Sequence, residues 1–180
     1  MKEILKQVLT AVVLTWTAVV LSAAVCRSAC QKTEQLFIIE RNKNGNIVHY
    51  DVCIGKDDYL SDTEPVIAYW ILENGKREAL SKVEREFAYG IAEHKKLGKG
   101  TVRIVLVSMK ERAITVEKIG GRFRAVILIN GKESVLERVY IQSHELIIGL
   151  PRVQFIDLHG RTKDKGLPVS ERIKNTRRSP

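Results

Sequence analysis

With 180 residues, 30 Lys and Arg against 21 Asp and Glu and a formal charge of +9, the chain is long enough for one domain with a substantial core. The positive charge does not describe a nucleic-acid binder, because it is concentrated at one end. Residues 161–180 hold seven Lys and Arg against Asp164 and Glu171, whereas residues 25–160 hold 21 basic and 18 acidic residues, an ordinary balance.

The N-terminus has charges at Lys2, Glu3 and Lys6 and then none until Arg27, so it reads as a signal peptide over residues 1–24. Cleavage after Ala24 is preferred, since Ser22-Ala23-Ala24 puts small residues where a signal peptidase reads. Two other fates stay open. The apolar run approaches the roughly 20 residues that span a bilayer, which would make it an uncleaved anchor, and Cys26 or Cys30 could carry a lipid, although Val25 and Arg27 fit that signal poorly. The chain is thus expected to be exported, periplasmic or envelope-associated, with membrane association through the N-terminus or the basic tail.

Residues 25–34 read as a flexible linker, 35–160 as a single β-rich domain and 161–180 as a loosely ordered tail. Cys26 and Cys30 could bridge each other, while Cys53, inside the apolar run VHYDVCIG, reads as a buried thiol. One possible bridge is not a disulfide framework.

In chain order, QLFIIER and IVHYDVCI are expected to pair around Asn44-Gly45, and PVIAYWIL to run into Asn74-Gly75. TVRIVLVSM, AITVEKI, RFRAVILI and SVLERVYIQ follow as a meander through Gly120-Gly121 and Asn130-Gly131, and RVQFIDL closes it. In SVLERVYIQ, strict alternation puts Val135, Val139 and Ile141 on one face with Glu137, and Leu136, Arg138 and Tyr140 on the other. RFRAVILI is apolar on both faces, as for a strand whose second face is covered by another element or by a partner. The fold class expected is mainly β: an antiparallel meander of about eight strands, as a small barrel or twisted sandwich with one short helix.

That helix is expected over residues 82–89. Ser81 and Glu84 form a capping box and Gly90 is the stop. Leu80, Val83, Phe87 and Ile91 would supply the stripe that docks on the sheet, because so short a helix is not stable alone. Arg85 and Tyr89 lie on another face. Two readings of them stand: Tyr89 covers a sheet edge with Arg85 on it, or Tyr69, Trp70, Arg85 and Tyr89 face one ligand-binding pocket.

The stretch PVIAYWILENGKREALSKVEREFAYG, followed downstream by LPRVQFIDLHGR, resembles an uncharacterised bacterial family of exported domains, a domain of unknown function. Its recurring pieces are P-V-x-x-Y-W, E-R-x-x-A-Y-G and L-P-x-V ending at a glycine. The resemblance covers roughly residues 35–162. Here the matching positions are Pro65, Val66, Tyr69, Trp70, Glu84, Arg85, Ala88, Tyr89, Gly90, Leu150, Pro151, Val153 and Gly160; His159 stands where an aromatic precedes the last glycine. The resemblance implies a compact extracytoplasmic domain and no reaction.

Motifs of known chemistry are missing. SHELIIG has no second histidine at zinc-protease spacing, His49, His94, His144 and His159 are scattered, and no G-x-S-x-G elbow or phosphate loop occurs. LGKGT is a turn, and the acidic loop KDDYLSDTE lacks EF-hand spacing. Neither metal nor cofactor is expected. The leading expectation is non-enzymatic binding of a hydrophobic or cell-envelope ligand (lipid or glycan) or a protein partner. The alternatives are a structural or assembly subunit using the two-faced apolar strand, and an envelope hydrolase using Glu84, His94 or residues 57–64.

Overall fold

The computed structural model describes residues 30–56, 58–145 and 151–174. The expected signal peptide, Cys26, Asp57, Leu150 and the last six residues lie outside the described residues. Eleven strands form one curled, mostly antiparallel sheet, a half-barrel, where about eight were expected. Strands β1 (Lys32–Arg41), β2 (Ile47–Ile54), β3 (Val66–Ile71) and β4 (Arg77–Ala79) make one wing. Helix α1 (Lys82–Phe87) leads to the second wing, β5 (Ile91–Gly98), β6 (Thr101–Leu106), β7 (Ala113–Ile119) and β8 (Arg122–Ile129). β9 (Lys132–Glu145), β10 (Pro151–Thr162) and β11 (Pro168–Lys174) complete it.

β9 joins the wings. Its first residues pair antiparallel with β8, and its stretch from Arg138 to Ile141 pairs parallel with β1 along the same edge. The wings therefore fan out from one strand and curl toward each other. They share one core, in which Phe37 stacks on Tyr50 at 4.5 Å, with Val48, Ile104, Ile114 and Leu136 also fully buried. Large side chains fill the interior. Gly120-Gly121 and Asn130-Gly131 make the tight corners of this meander with positive φ at both residues, as two-residue hairpins require.

The alternation expected for β9 fails at Glu137. In the pairing with β10, Arg138 faces His159 but Leu136 faces Gly160, so Glu137 is an extra residue and the faces exchange there. Leu136 and Val139 are thereby both buried, although they are an odd number apart. Gly160 marks the same irregularity: a Cβ there would lie 2.2 Å from the Val135 carbonyl oxygen.

Residues 161–174, expected to be a loose tail, are instead largely strand. The β10–β11 arm touches β8 and covers part of the second face of RFRAVILI from within the chain, while Leu128 on that face stays 55% exposed. It is clamped by Glu171, which receives Arg112 Nη1 and Nη2 at 2.8 and 2.5 Å and the Asn130 amide at 2.7 Å. The Arg112 guanidinium first, with the amide of Asn130, holds the Glu171 carboxyl down at about 2 against its burial. Cys53 is also not a free thiol: it is bonded to Cys30, with Cα atoms 5.1 Å apart. Closing a loop of this size contributes about 3 kcal/mol.

Gly160→Ala is expected to cost about 2 kcal/mol or more in urea unfolding, whereas Gly98→Ala, which meets nothing within 4 Å, leaves stability nearly unchanged. Because the folded Glu171 carboxyl sits below its ordinary 4.5, its contribution is complete above that pH and is lost as pH falls toward 2. Glu171→Gln should therefore lower stability at pH 7 by about 1–2 kcal/mol and leave it nearly unaltered near pH 2.

Candidate functional site

Four chain segments meet where β4 hands over to β5. The capping box is formed: Glu84 Oε2 accepts from the Ser81 amide at 2.8 Å, and the Glu84 amide donates to Ser81 Oγ at 3.3 Å. The other carboxylate oxygen accepts from Trp70 Nε1 at 3.1 Å. Burial alone would push this carboxyl up; the bonds from Ser81 and Trp70, with the positive Arg41 nearby, outweigh it and hold the pKa below the usual range. The carboxylate is committed to structure.

This commitment rolls the helix. Facing Glu84 toward Trp70 turns Val83 and Phe87 outward, where they are 66% and 75% exposed, contrary to the docking stripe expected of them. The inward contacts come instead from Leu80 and Tyr89, on either side of a helix only six residues long. Gly90 is needed for a reason other than helix termination by positive φ. A Cβ there would lie 1.9 Å from the Arg85 carbonyl oxygen, so the chain can turn back into β5 only without a side chain.

Tyr89 is buried in a knot of aromatic and cationic groups. Its carbonyl accepts from Tyr50 Oη at 2.6 Å, its ring meets Trp70 edge-on at 5.2 Å, and its hydroxyl accepts from Arg41 Nη1 at 3.4 Å. Arg41 also lies 4.6 Å over the Trp70 ring. Burial first, then Tyr89, pushes the Tyr50 phenol far up, so it remains a neutral donor.

Tyr69 neighbours Trp70 in the strand and therefore points to the opposite face. Its hydroxyl donates to Asp51 Oδ2 at 2.6 Å, His49 stacks on it at 5.7 Å, and Arg77 lies 3.6 Å over its ring. Burial, then the Asp51 carboxylate, pushes this phenol up to about 12, which removes it as a nucleophile near neutral pH. The four expected ligand residues thus divide: Trp70 and Tyr89 join the internal knot, while Tyr69 and Arg85 border a surface cleft. Pro151 opens β10 opposite Glu145, away from both.

The cleft runs between β3 and β5 as two adjoining lobes of about 570 and 710 Å³. Its floor includes Ile104 and Leu80, its walls the edges of the two strands and residues 55–65. One lobe carries Arg77, Arg85, His94 and Glu64; the other carries Lys56, Lys96, Lys99 and Asp62. Lys96 is ion-paired with Asp62 across the opening. Tyr59 lies 51% exposed at the second lobe. Sequence reasoning missed this cleft, along with Arg41 and Asp51. The available signals were the lysine-bearing IAEHKKLG, typical of an unpaired edge strand, and the lone acid inside VHYDVCIG. Among the described residues, no group of three His, Cys, Asp or Glu is placed to hold a metal ion.

Glu84→Ala should cost about 2–3 kcal/mol by removing the cap and the indole's acceptor, read by urea titration with tryptophan fluorescence. Val83→Ser and Phe87→Ser should each stay within about 0.5 kcal/mol; a core-sized loss at Phe87 would mean the helix is rolled the other way.

No curated protein and no solved structure matches the chain. A family model described as "Domain of unknown function (DUF4833)" matches residues 37–172, from β1 into β11, and so takes in the knot, both walls of the cleft and the C-terminal arm. The chain belongs to this family of uncharacterised domains.

Proposed function

We propose that this chain is an exported, non-enzymatic binding domain that holds a protein partner in the cleft between β3 and β5. The observation that carries the reading is the pair of unpaired strand edges facing one cleft. Among the described residues, β5 pairs with β6 alone, and β3 pairs with β4 only from Tyr69 to Ile71. Strand edges left open beside an apolar floor are where proteins accept other chains.

The other ligands expected of the sequence fare less well. A lipid buried inside the half-barrel would need space that Phe37, Tyr50 and Ile39 occupy. Of the acids expected for a hydrolase, Glu84 is bound to Ser81 and Trp70 and Asp62 is paired with Lys96, which leaves Glu64 as the acid that shares a lobe with His94. Assembly through β8 would have only the part of its outer face that the β10–β11 arm leaves open, around Leu128. The Cys30–Cys53 bond supports export, since such bridges persist in oxidising compartments.

Benzophenone-bearing residues placed at Thr63 and His94, both exposed on the cleft, should crosslink a discrete partner in producing cells. The same probe at Lys118 and Glu137, exposed elsewhere, should not. Equal crosslinking at all four sites, or none at the cleft, would contradict the assignment.

A further inference from the structure

We infer that the partner enters this cleft as an extended acidic segment, added as a strand antiparallel to both β3 and β5; this rests on the cleft being the partner site. The fold leaves a lane for it. β4 begins that lane on the outer edge of β3, opposite Ile71, Trp70 and Tyr69, and reaches Ala79. The chain then leaves the lane: Leu80 is buried, Ser81 caps α1, and α1 carries the backbone over to β5. Among the described residues, residues 66–68 of β3 keep a strand on one side only, and so does all of β5.

The directions are compatible. From β3 through β2 to β1 the sense reverses twice, β1 and β9 run alike, and from β9 to β5 it reverses four times. β3 and β5 therefore have the same sense, and a single strand running the other way, in line with β4, makes antiparallel ladders with both. That is the more stable pairing.

Charge selects the occupant. The two lobes present five Lys and Arg against Glu64 and Asp62, with His94 in addition. Along an added strand, alternate side chains would share a face with His94 and Lys96, the cross-strand partners of Ile104 and Val102, where acidic groups meet the cations, and the others would lie on the face of Tyr69, where apolar groups fit. The fitting segment alternates apolar and acidic residues. The Lys96–Asp62 pair is exposed at both partners, so opening it costs little, and an incoming carboxylate replaces Asp62 on Lys96. A second copy of the chain is the wrong partner, because pairing β5 with β5 would bring Lys95 and Lys96 of one copy near those of the other.

The test uses the purified full-length chain and fluorescent synthetic peptides of about six residues alternating valine with glutamate, valine with lysine, or valine with glutamate N-methylated at alternate amides. Anisotropy should show the acidic peptide binding about tenfold or more tightly than the other two. Amide NMR shifts should concentrate at residues 66–68 and 91–98. The double variant K96E/K99E, which turns five cations against two acids into three against four, should reverse the charge preference. Equal binding of acidic and basic peptides, indifference to N-methylation, or shifts confined to another surface would overturn the inference. No binding at millimolar peptide, with crosslinks still formed at His94, overturns strand addition and leaves the cleft as a partner site; loss of both removes both readings. Binding of anionic phosphatidylglycerol vesicles in preference to the acidic peptide would also overturn it.

Discussion

The carboxylate of Glu84 decides how the two wings meet. One oxygen caps the helix at Ser81 and the other takes the indole N–H of Trp70 from the facing strand. The indole N–H belongs to a buried Trp70, and an unmet donor beside a core is costly, whereas the Ser81 amide is exposed and gains the cap. With this bond made, the helix presents its polar side inward, leaves Val83 and Phe87 to solvent, and takes its apolar burial from Leu80 and Tyr89 at its two ends. A helix of six residues has too little surface to resist the choice.

Several features follow from that anchoring. The chain must leave the β4 lane at Leu80, pass through α1 and re-enter the sheet at Gly90, whose missing side chain lets the backbone pass the Arg85 carbonyl. Tyr89 is drawn beneath the helix, where Tyr50, Trp70 and Arg41 hold it. With the lane vacated, β3 and β5 cannot reach each other. The sheet remains a half-barrel with a basic-rimmed seam over a filled interior. The proposed binding role therefore falls to the seam and not to the inside, and the chemistry of the seam is that of strand edges and positive charge.

Much of the architecture was legible because the signals were local. The apolar strands β1, β2, β3 and β6 to β10 appear where β-branched runs and glycine corners mark them, and Ser81 with Glu84 specifies the cap by spacing alone. Three strands were missed for physical reasons. β4 has three residues, all exposed; β5 is exposed from Ala92 to Gly98, so no hydrophobic period marks it; β11 alternates exposed and half-buried residues, one of them the charged Glu171, in a stretch whose composition reads as a tail. The bulge at Glu137 was invisible because alternation carries no record of an extra residue, which only the partner strand reveals. Likewise, the partner of Cys53 is set by the Lys32↔Ile54 and Thr33↔Cys53 register that brings Cys30 alongside. Trp70 and Tyr89 do come together, but neighbouring residues of a strand point apart, and that rule separates Tyr69 from Trp70.

The sheet stays open between β3 and β5, with the edge of β5 and residues 66–68 of β3 free among the described residues. Residue-resolved amide hydrogen exchange on the full chain tests it directly. The amides of β5 that point away from β6, and those of residues 66–68 that point away from β2, should exchange orders of magnitude faster than the amides of β6 and β7. Slow exchange along both faces of β5, at the level of its neighbours, would show a closed barrel and contradict the account.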